Sequence, residues 1–269
     1  MKNFLIRSLV AVIAIPALLW IFHQSGWWLR GLVVALIGLS CLEIRAVTAS
    51  RSIPYSFPIG LLLTMAVPLV VVSDLNYAWP IWAAVALVGA GAFGVSQDTP
   101  QKAALSLLIH VASALWIGFG FAALLMLREI IVGDGFKWIV FLYANLWIGD
   151  TAAYLGGSWI GGPKLASVIS PNKTWAGSVA QIVASVLIGV VYVTFGWIEA
   201  SATLLIVCAI AIGIIGQVGD LFESVFKRAL GVKDFSSIIP GHGGVLDRFD
   251  STLLAAPTLW AILTLWTHV

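Results

Sequence analysis

SATLLIVCAIAIGIIGQVGDLF, residues 201–222, carries no charge until Asp220. A bilayer core of about 30 Å takes about 20 apolar residues in a helix, because lipid offers no partner to an open backbone group. The stretch meets that ruler and then ends in a carboxylate, the pattern of a helix that crosses a membrane and emerges at a charged site. The same ruler, carried outward, divides the chain into nine segments: 4–22, 27–46, 57–73, 79–96, 103–127, 136–156, 175–197, 201–222 and 251–268. The fifth is long enough to tilt or to carry an irregular end, and Pro16, Pro68 and Pro257 are positioned to bend their helices. The fold class this predicts is an all-α polytopic membrane protein, a single integral domain over 1–269. Its spans over 1–135 are followed by a part, 136–269, that holds the polar motifs.

Composition points the same way. Of 269 residues, 61% are hydrophobic and 10% charged, and mean hydropathy is +1.04. A soluble domain is about half apolar and about a quarter charged, so an ordinary soluble enzyme and a disordered chain are excluded. A formal net charge of +2 gives no reason to expect nucleic acid as a partner. Cys41 and Cys208 lie in apolar runs and act as small hydrophobes, too few for a disulfide framework or a cysteine-based zinc cage. Lys2 and Arg7 before a long apolar stretch imitate a signal peptide, but the further spans make it a retained first helix.

Orientation follows from the cations. With nine spans, only Arg30, Arg128 and Lys137 fall on one side, and the other eleven of the fourteen Lys and Arg fall on the side of the amino terminus. This predicts a cytoplasmic amino terminus, an outside carboxyl terminus and an integral protein of a bacterial inner membrane. It also puts the polar stretches around 157–174 and 223–250 on one cytoplasmic face.

The acidic residues are concentrated: Asp220, Glu223, Asp234, Asp247 and Asp250 occupy the last fifth of the chain. Ionisable groups at membrane depth are costly and usually functional. Gly213, Gly216 and Gly219 recur every three residues and allow close helix approach. Asp220 and Glu223 follow on one helical face, with Lys227 and Arg228 a turn later; a solvated helix end would look similar. Pro240-Gly-His242-Gly243-Gly244 breaks the chain, and its glycines permit positive φ and an amide-lined anion site. Asp247 and Asp250, three apart, open the ninth span on one face, beside Arg248. Clustered carboxylates repel unless a cation holds them, and Mg²⁺ uses one or two carboxylates together with substrate phosphates. The segment therefore reads as a metal-assisted phosphoryl-transfer site at the membrane surface.

Upstream, Asp150 ends the sixth span, and Ser170-Pro171-Asn172-Lys173-Thr174 opens the seventh. Hydroxyls and a proline there are ordinary helix-start chemistry, while Lys173 and Thr174 also make a phosphate seat at a helix amino terminus. Glu43 and Arg45 read as an end-of-helix pair. His23, His110 and His268 read as interfacial or packed, and the tryptophans as belt and packing residues.

These residues resemble a known family. Ser224-Val-Phe-Lys227-Arg228, then Lys233-Asp234-Phe-Ser-Ser-Ile-Ile-Pro240-Gly-His242-Gly243-Gly244-Val-Leu-Asp247-Arg248-Phe-Asp250, is similar to the signature of the phosphatidate cytidylyltransferases, or CDP-diacylglycerol synthases. Asp150 and Ser170-Pro-Asn-Lys173-Thr174-Trp-Ala-Gly177 look like the family's second motif. The resemblance is sharp over about 148–250, and the first half matches only as spans. It implies conversion of CTP and phosphatidate to CDP-diacylglycerol and pyrophosphate in phospholipid biosynthesis. It implies a Mg²⁺ cofactor, a helical membrane fold and a homodimer; a second, monovalent cation such as K⁺ stays open. Asp220 and Asp247 would be the principal metal ligands, with Asp250 a third. Lys227, Arg228, Lys233 and Arg248 would hold phosphate, and His242, Gly243 and Gly244 would shape a loop over the triphosphate. Asp150, Lys173, Thr174, Glu223, Ser224 and Asp234 complete the expected substrate site.

Two positions depart from the family pattern: Ala176 stands where an acid is usual, and Asn172 where a base often stands. Gly156–Gly162 also lacks the expected basic residues. The rival readings are a related lipid-phosphate cytidylyltransferase, a CTP-dependent polyprenol-type kinase releasing CDP, a cation transporter and a silent scaffold. A transporter would carry acids mid-span on several helices, and a scaffold would not need Asp247-Arg248-Phe249-Asp250.

Overall fold

Local chemistry sets where the helices start and stop. The computed structural model describes residues 2–72, 78–130 and 134–267, and there helices occupy each of the nine segments. They are α1 (Lys2–Gln24), α2 (Gly26–Ser50), α3 (Phe57–Val72), α4 (Ala78–Val95), α5 (Pro100–Ser113), α6 (Gly120–Arg128), α7 (Gly135–Trp159), α8 (Trp175–Phe195), α9 (Ala202–Ala229), α10 (Leu246–Phe249) and α11 (Thr252–Trp266). Thr99 caps α5 by accepting from Lys102 N, with Pro100 in its first turn, where a missing N–H costs nothing. Asp134 accepts from Phe136 N at 2.9 Å to start α7. Thr174 accepts from Gly177 N at 3.1 Å to start α8, which Gly196 closes with φ 62°, the left-handed turn that glycine allows. His268 lies outside the described residues.

By length and composition six of these stretches can cross a membrane: 26–50, 78–95, 100–128, 175–195, 202–229 and 246–266. Large apolar side chains stay exposed along α8, at Val179, Val183, Leu187 and Val190. A water-soluble fold buries such a stripe; a lipid-facing helix leaves it out.

The chain divides into two compact units, residues 1–126 with 229–249 and residues 127–228 with 250–269. The core of the first includes Leu63 and Val67 of α3, Trp82, Ala86 and Ala90 of α4, and Ala114. Ala114 opens a π-helical turn, Ala114–Phe119, between α5 and α6. The irregularity of the fifth segment is therefore internal rather than terminal. Gly118 within it lies where a Cβ would come 2.8 Å from Thr64 O and 2.9 Å from Val67 Cβ of α3, so the bulge lets two helices touch. His110 is packed as expected. Its Nδ1 lies 2.7 Å from Ser106 O, its Nε2 meets the Ser56 backbone, and its ring stacks on Tyr55 at 4.6 Å.

In the second unit α7 and α8 run against each other at glycines. Gly156 faces Ala180, and Gly177 faces the Ala153 carbonyl. An aromatic chain, Trp138–Phe141–Tyr192–Trp197, steps through it in edge-to-face pairs with centroids 5.6, 4.8 and 5.0 Å apart.

The structure departs from the sequence reading in four places. α7 continues to Trp159, so Asp150 lies inside the helix rather than at its end. Ser170-Pro171 does not open α8. Residues Ser170–Thr174 form a strand, β2, antiparallel to β1 (Lys164–Ala166), with Lys164 opposite Thr174 and Ala166 opposite Ser170. This is the one hairpin among the described residues; Pro171 removes a donor and suits such an edge. Asp247 and Asp250 do not share a continuous helix, because α10 stops at Phe249 and α11 starts at Thr252. Finally, Glu43 and Arg45 do not pair. Residues two apart on a helix point away from each other; Glu43 is buried, while Arg45 lies 5.4 Å over the Phe57 ring.

Candidate active site

The acidic end of α9 is built by close backbone approach. The three glycines ahead of it face three different elements of the second unit. A Cβ at Gly213 would lie 2.6 Å from Ser185 Oγ of α8, one at Gly216 2.6 Å from Leu146 Cδ2 of α7, and one at Gly219 2.8 Å from the Asp250 carbonyl. The glycine spacing was legible, and it serves three partners rather than one. Gln217, between them, donates to Ser178 O at 3.2 Å and Gly213 O at 2.9 Å, and its Oε1 accepts from Ser178 Oγ. Gly219 also lies where a Cβ would meet Ser251 Cα at 2.9 Å, and backbone cannot yield as a flexible side chain can. Gly219→Ala is expected to cost about 1–3 kcal/mol by overpacking, read as a lower unfolding temperature of the detergent-solubilised protein. An unchanged midpoint would mean that α9 and the start of α11 need not be this close.

That approach brings Asp220, Glu223 and Asp250 together. Each offers one carboxylate oxygen, and the three oxygens lie within 4.8 Å of one another. Two lysines face them. Lys173 Nζ of β2 is 2.6 Å from Asp220 Oδ2, and Lys227 Nζ contacts Glu223 Oε2 one turn along α9. Ser224 Oγ donates to Asp220 Oδ1 at 3.4 Å, and Asp250 Oδ1 accepts from Ser251 N at 2.7 Å. Nearby on α7, Asp150 Oδ1 accepts from Gln181 Nε2 at 3.3 Å. Glu223 is fully buried and Asp220 is partly open, so the cluster has a closed side and an accessible one. The donor set is all hard oxygen, which suits Mg²⁺.

The signature loop belongs to the first unit. Ile239 and Gly243 bridge across the turn, with positive φ at Gly241 (75°) and Gly243 (86°). His242 is partly exposed, its Nδ1 3.4 Å from the Pro240 carbonyl. Of the Pro240–Gly244 amides, Gly244 N goes to one of the chain's own carboxylates, and the next two amides go to another. Asp247 Oδ2 accepts from Phe235 N at 2.9 Å and Gly244 N at 2.8 Å. Glu43 of α2 accepts from Val245 N at 2.7 Å, Leu246 N at 3.0 Å and Ser236 Oγ at 2.7 Å.

The expected cations have mixed placements. Arg228 Nε donates to the Ile169 carbonyl in the hairpin turn at 3.3 Å. Lys233, Asp234 and Arg248 are exposed. Thr174 uses its hydroxyl oxygen to cap α8. Sequence reasoning missed Glu43 as a loop partner and missed the hairpin that carries Lys173. The signal for Glu43 was present, since a lone acid in an apolar span is a functional candidate by default.

The model of the cytidylyltransferase family matches residues 5–266. The chain belongs to the cytidylyltransferase family. Within it, the chain is 33% identical over 263 residues to a phosphatidate cytidylyltransferase of Staphylococcus haemolyticus, covering 96% of this chain and 98% of the relative. It is 33% identical over 264 residues to one of Staphylococcus epidermidis and 32% identical over 267 residues to one of Staphylococcus aureus, with the same two coverages in both cases. The family match thus takes in the amino-terminal helices, where the motifs alone gave only hydrophobic spans.

Proposed function

We propose that this chain is a CTP:phosphatidate cytidylyltransferase that makes CDP-diacylglycerol and pyrophosphate for phospholipid synthesis. The observation that carries the proposal is identity of about a third, over nearly the whole of both chains, to relatives bearing that name. The carboxylate cluster with its two lysines supports it, because the reaction joins two polyanions.

An anionic oxygen of the phosphatidate phosphate forms a bond to the α-phosphorus of CTP. The bond from that phosphorus to the oxygen bridging the β-phosphorus breaks, and pyrophosphate leaves with the electron pair. The attacking oxygen is already charged, so no residue has to remove a proton. What the protein must supply is alignment and neutralisation. Asp220, Glu223 and Asp250 would hold Mg²⁺, which when bound would disperse charge on the phosphates and the departing pyrophosphate. Lys173, paired with Asp220, is the cation best placed to turn to a phosphate oxygen, and Lys227 beside Glu223 is the second. The family resemblance assigns Asp247 of the first unit's signature loop to the metal, Arg248 and Lys233 of that loop to phosphate, and His242 to shaping the loop.

The lipid's acyl chains can stay in the bilayer while the head group reaches the site. The proposed topology is nine spans in a bacterial inner membrane, with a cytoplasmic amino terminus, an outside carboxyl terminus and a homodimeric assembly. The excess of Lys and Arg on the amino-terminal side supports the orientation.

The test is incubation of the purified protein with phosphatidate, Mg²⁺ and CTP labelled at the α-phosphate. Lipid-soluble label with stoichiometric pyrophosphate is the expected result. Aqueous CDP without labelled lipid would mean a kinase or a hydrolase. Transfer only to a different lipid phosphate would bring Ala176 and Asn172 forward as the residues that changed the acceptor.

A further inference from the structure

Glu43 is a buried carboxylate, 1% exposed, in the last two turns of the apolar helix α2. A buried charge without compensation is strongly unfavourable, so its partners reveal its purpose. All three donors that the structure gives it come from the signature segment: Ser236 Oγ, Val245 N and Leu246 N. Hydrogen bonds to an ionised carboxylate are among the strong ones, roughly twice a neutral bond. The fit also explains a glycine. Gly244 has no positive φ, yet a Cβ there would lie 2.4 Å from Glu43 Oε1. The second glycine of the His242-Gly243-Gly244 run is needed for the space that Glu43 fills, whereas the first is needed for its backbone angle.

We propose that Glu43 is a positioning residue for the signature loop, reaching about 200 residues along the chain to fix the backbone that carries Asp247 and Arg248. Gly244 N binds Asp247 while Val245 N and Leu246 N bind Glu43. Three consecutive amides are thus divided between two carboxylates, and neither can be lost without freeing buried donors. The role in turnover rests on the cytidylyltransfer reading; the role in holding the loop does not.

The experiment compares wild type, Glu43→Gln and Glu43→Ala as full-length protein in detergent, with two readouts. Hydrogen exchange of a peptide spanning 235–247 reports the loop, and steady-state kinetics with CTP and phosphatidate report the reaction. Glu43→Ala is expected to exchange that peptide at least ten-fold faster and to lower kcat by about 10–100-fold. KM for CTP is expected to change much less, since misplacement costs the step more than it costs binding. Glu43→Gln keeps the shape and one acceptor oxygen and should recover part of both effects, and it remains informative if the alanine variant does not fold. Unchanged exchange in both variants would overturn the proposal. So would faster exchange with normal kcat, which would leave Glu43 as packing alone. Should wild type itself transfer no label to lipid, the functional reading fails, and the exchange data still decide whether Glu43 holds the loop.

Discussion

Asp220→Asn is expected to lower kcat/KM for cytidylyl transfer by about 100-fold or more and to raise the Mg²⁺ concentration needed for half-maximal rate. Asp220 is the residue on which the cluster converges. It offers a carboxylate oxygen within 4.8 Å of those of Glu223 and Asp250, takes the Lys173 ammonium at 2.6 Å and accepts from Ser224. Asparagine keeps the shape and loses the charge. Supporting residues around a metal typically cost 10–100-fold when changed, and a ligand should cost at least that. The variant should remain folded, because Asp220 is partly open to solvent and removing its charge also lessens repulsion among three acids. Removing the Asp220 charge also breaks the ion pair with Lys173, so KM for CTP, read separately, reports whether the lysine now binds phosphate prematurely. A rate within a few-fold of wild type at the same Mg²⁺ would remove Asp220 from the chemistry.

Asp247→Asn is expected to be comparably damaging, through a route that the first unit makes visible. Asp247 Oδ2 accepts from two buried amides, Phe235 N and Gly244 N. Hydrogen bonds to a charged group contribute about 1.5–3 kcal/mol, and an amide oxygen would keep only part of that. A carboxylate has a second oxygen, and the family resemblance would assign Asp247 to the metal as well. If it serves both roles, Asp247→Asn should lose about 100-fold in kcat, need more Mg²⁺ and exchange the 235–247 peptide faster. Loss of rate at an unchanged Mg²⁺ requirement would confine Asp247 to the loop. Unchanged exchange with a raised requirement would confine it to the metal.

Helix positions were legible because the bilayer imposes a length on any apolar run; the caps at Thr99 and Thr174 became visible only in the structure. The polar cluster was legible for the same reason: acids and lysines at Asp220, Glu223, Lys227 and Asp250 are costly near lipid and stand out against an apolar background. What periodicity could not supply was the partner of each group. Asp247 and Asp250 are three apart and look equivalent, yet one closes a turn and the other joins Asp220 and Glu223, because the helix breaks between Phe249 and Thr252.

The sequence by itself determined that this chain is a helical membrane protein of the cytidylyltransferase type, with acids clustered in the last fifth of its length. Spacing along a helix and the cost of charge in lipid are local properties, and both can be read one segment at a time. Only the tertiary structure decided that Lys173 meets Asp220, that the loop's amides are filled by Glu43 and Asp247, and that Gly244 is a matter of space. The Lys173 and Glu43 pairings join residues far apart in the chain, and the physical reason for all of them is the satisfaction of buried donors and acceptors, which depends on which groups the fold brings within about 3 Å.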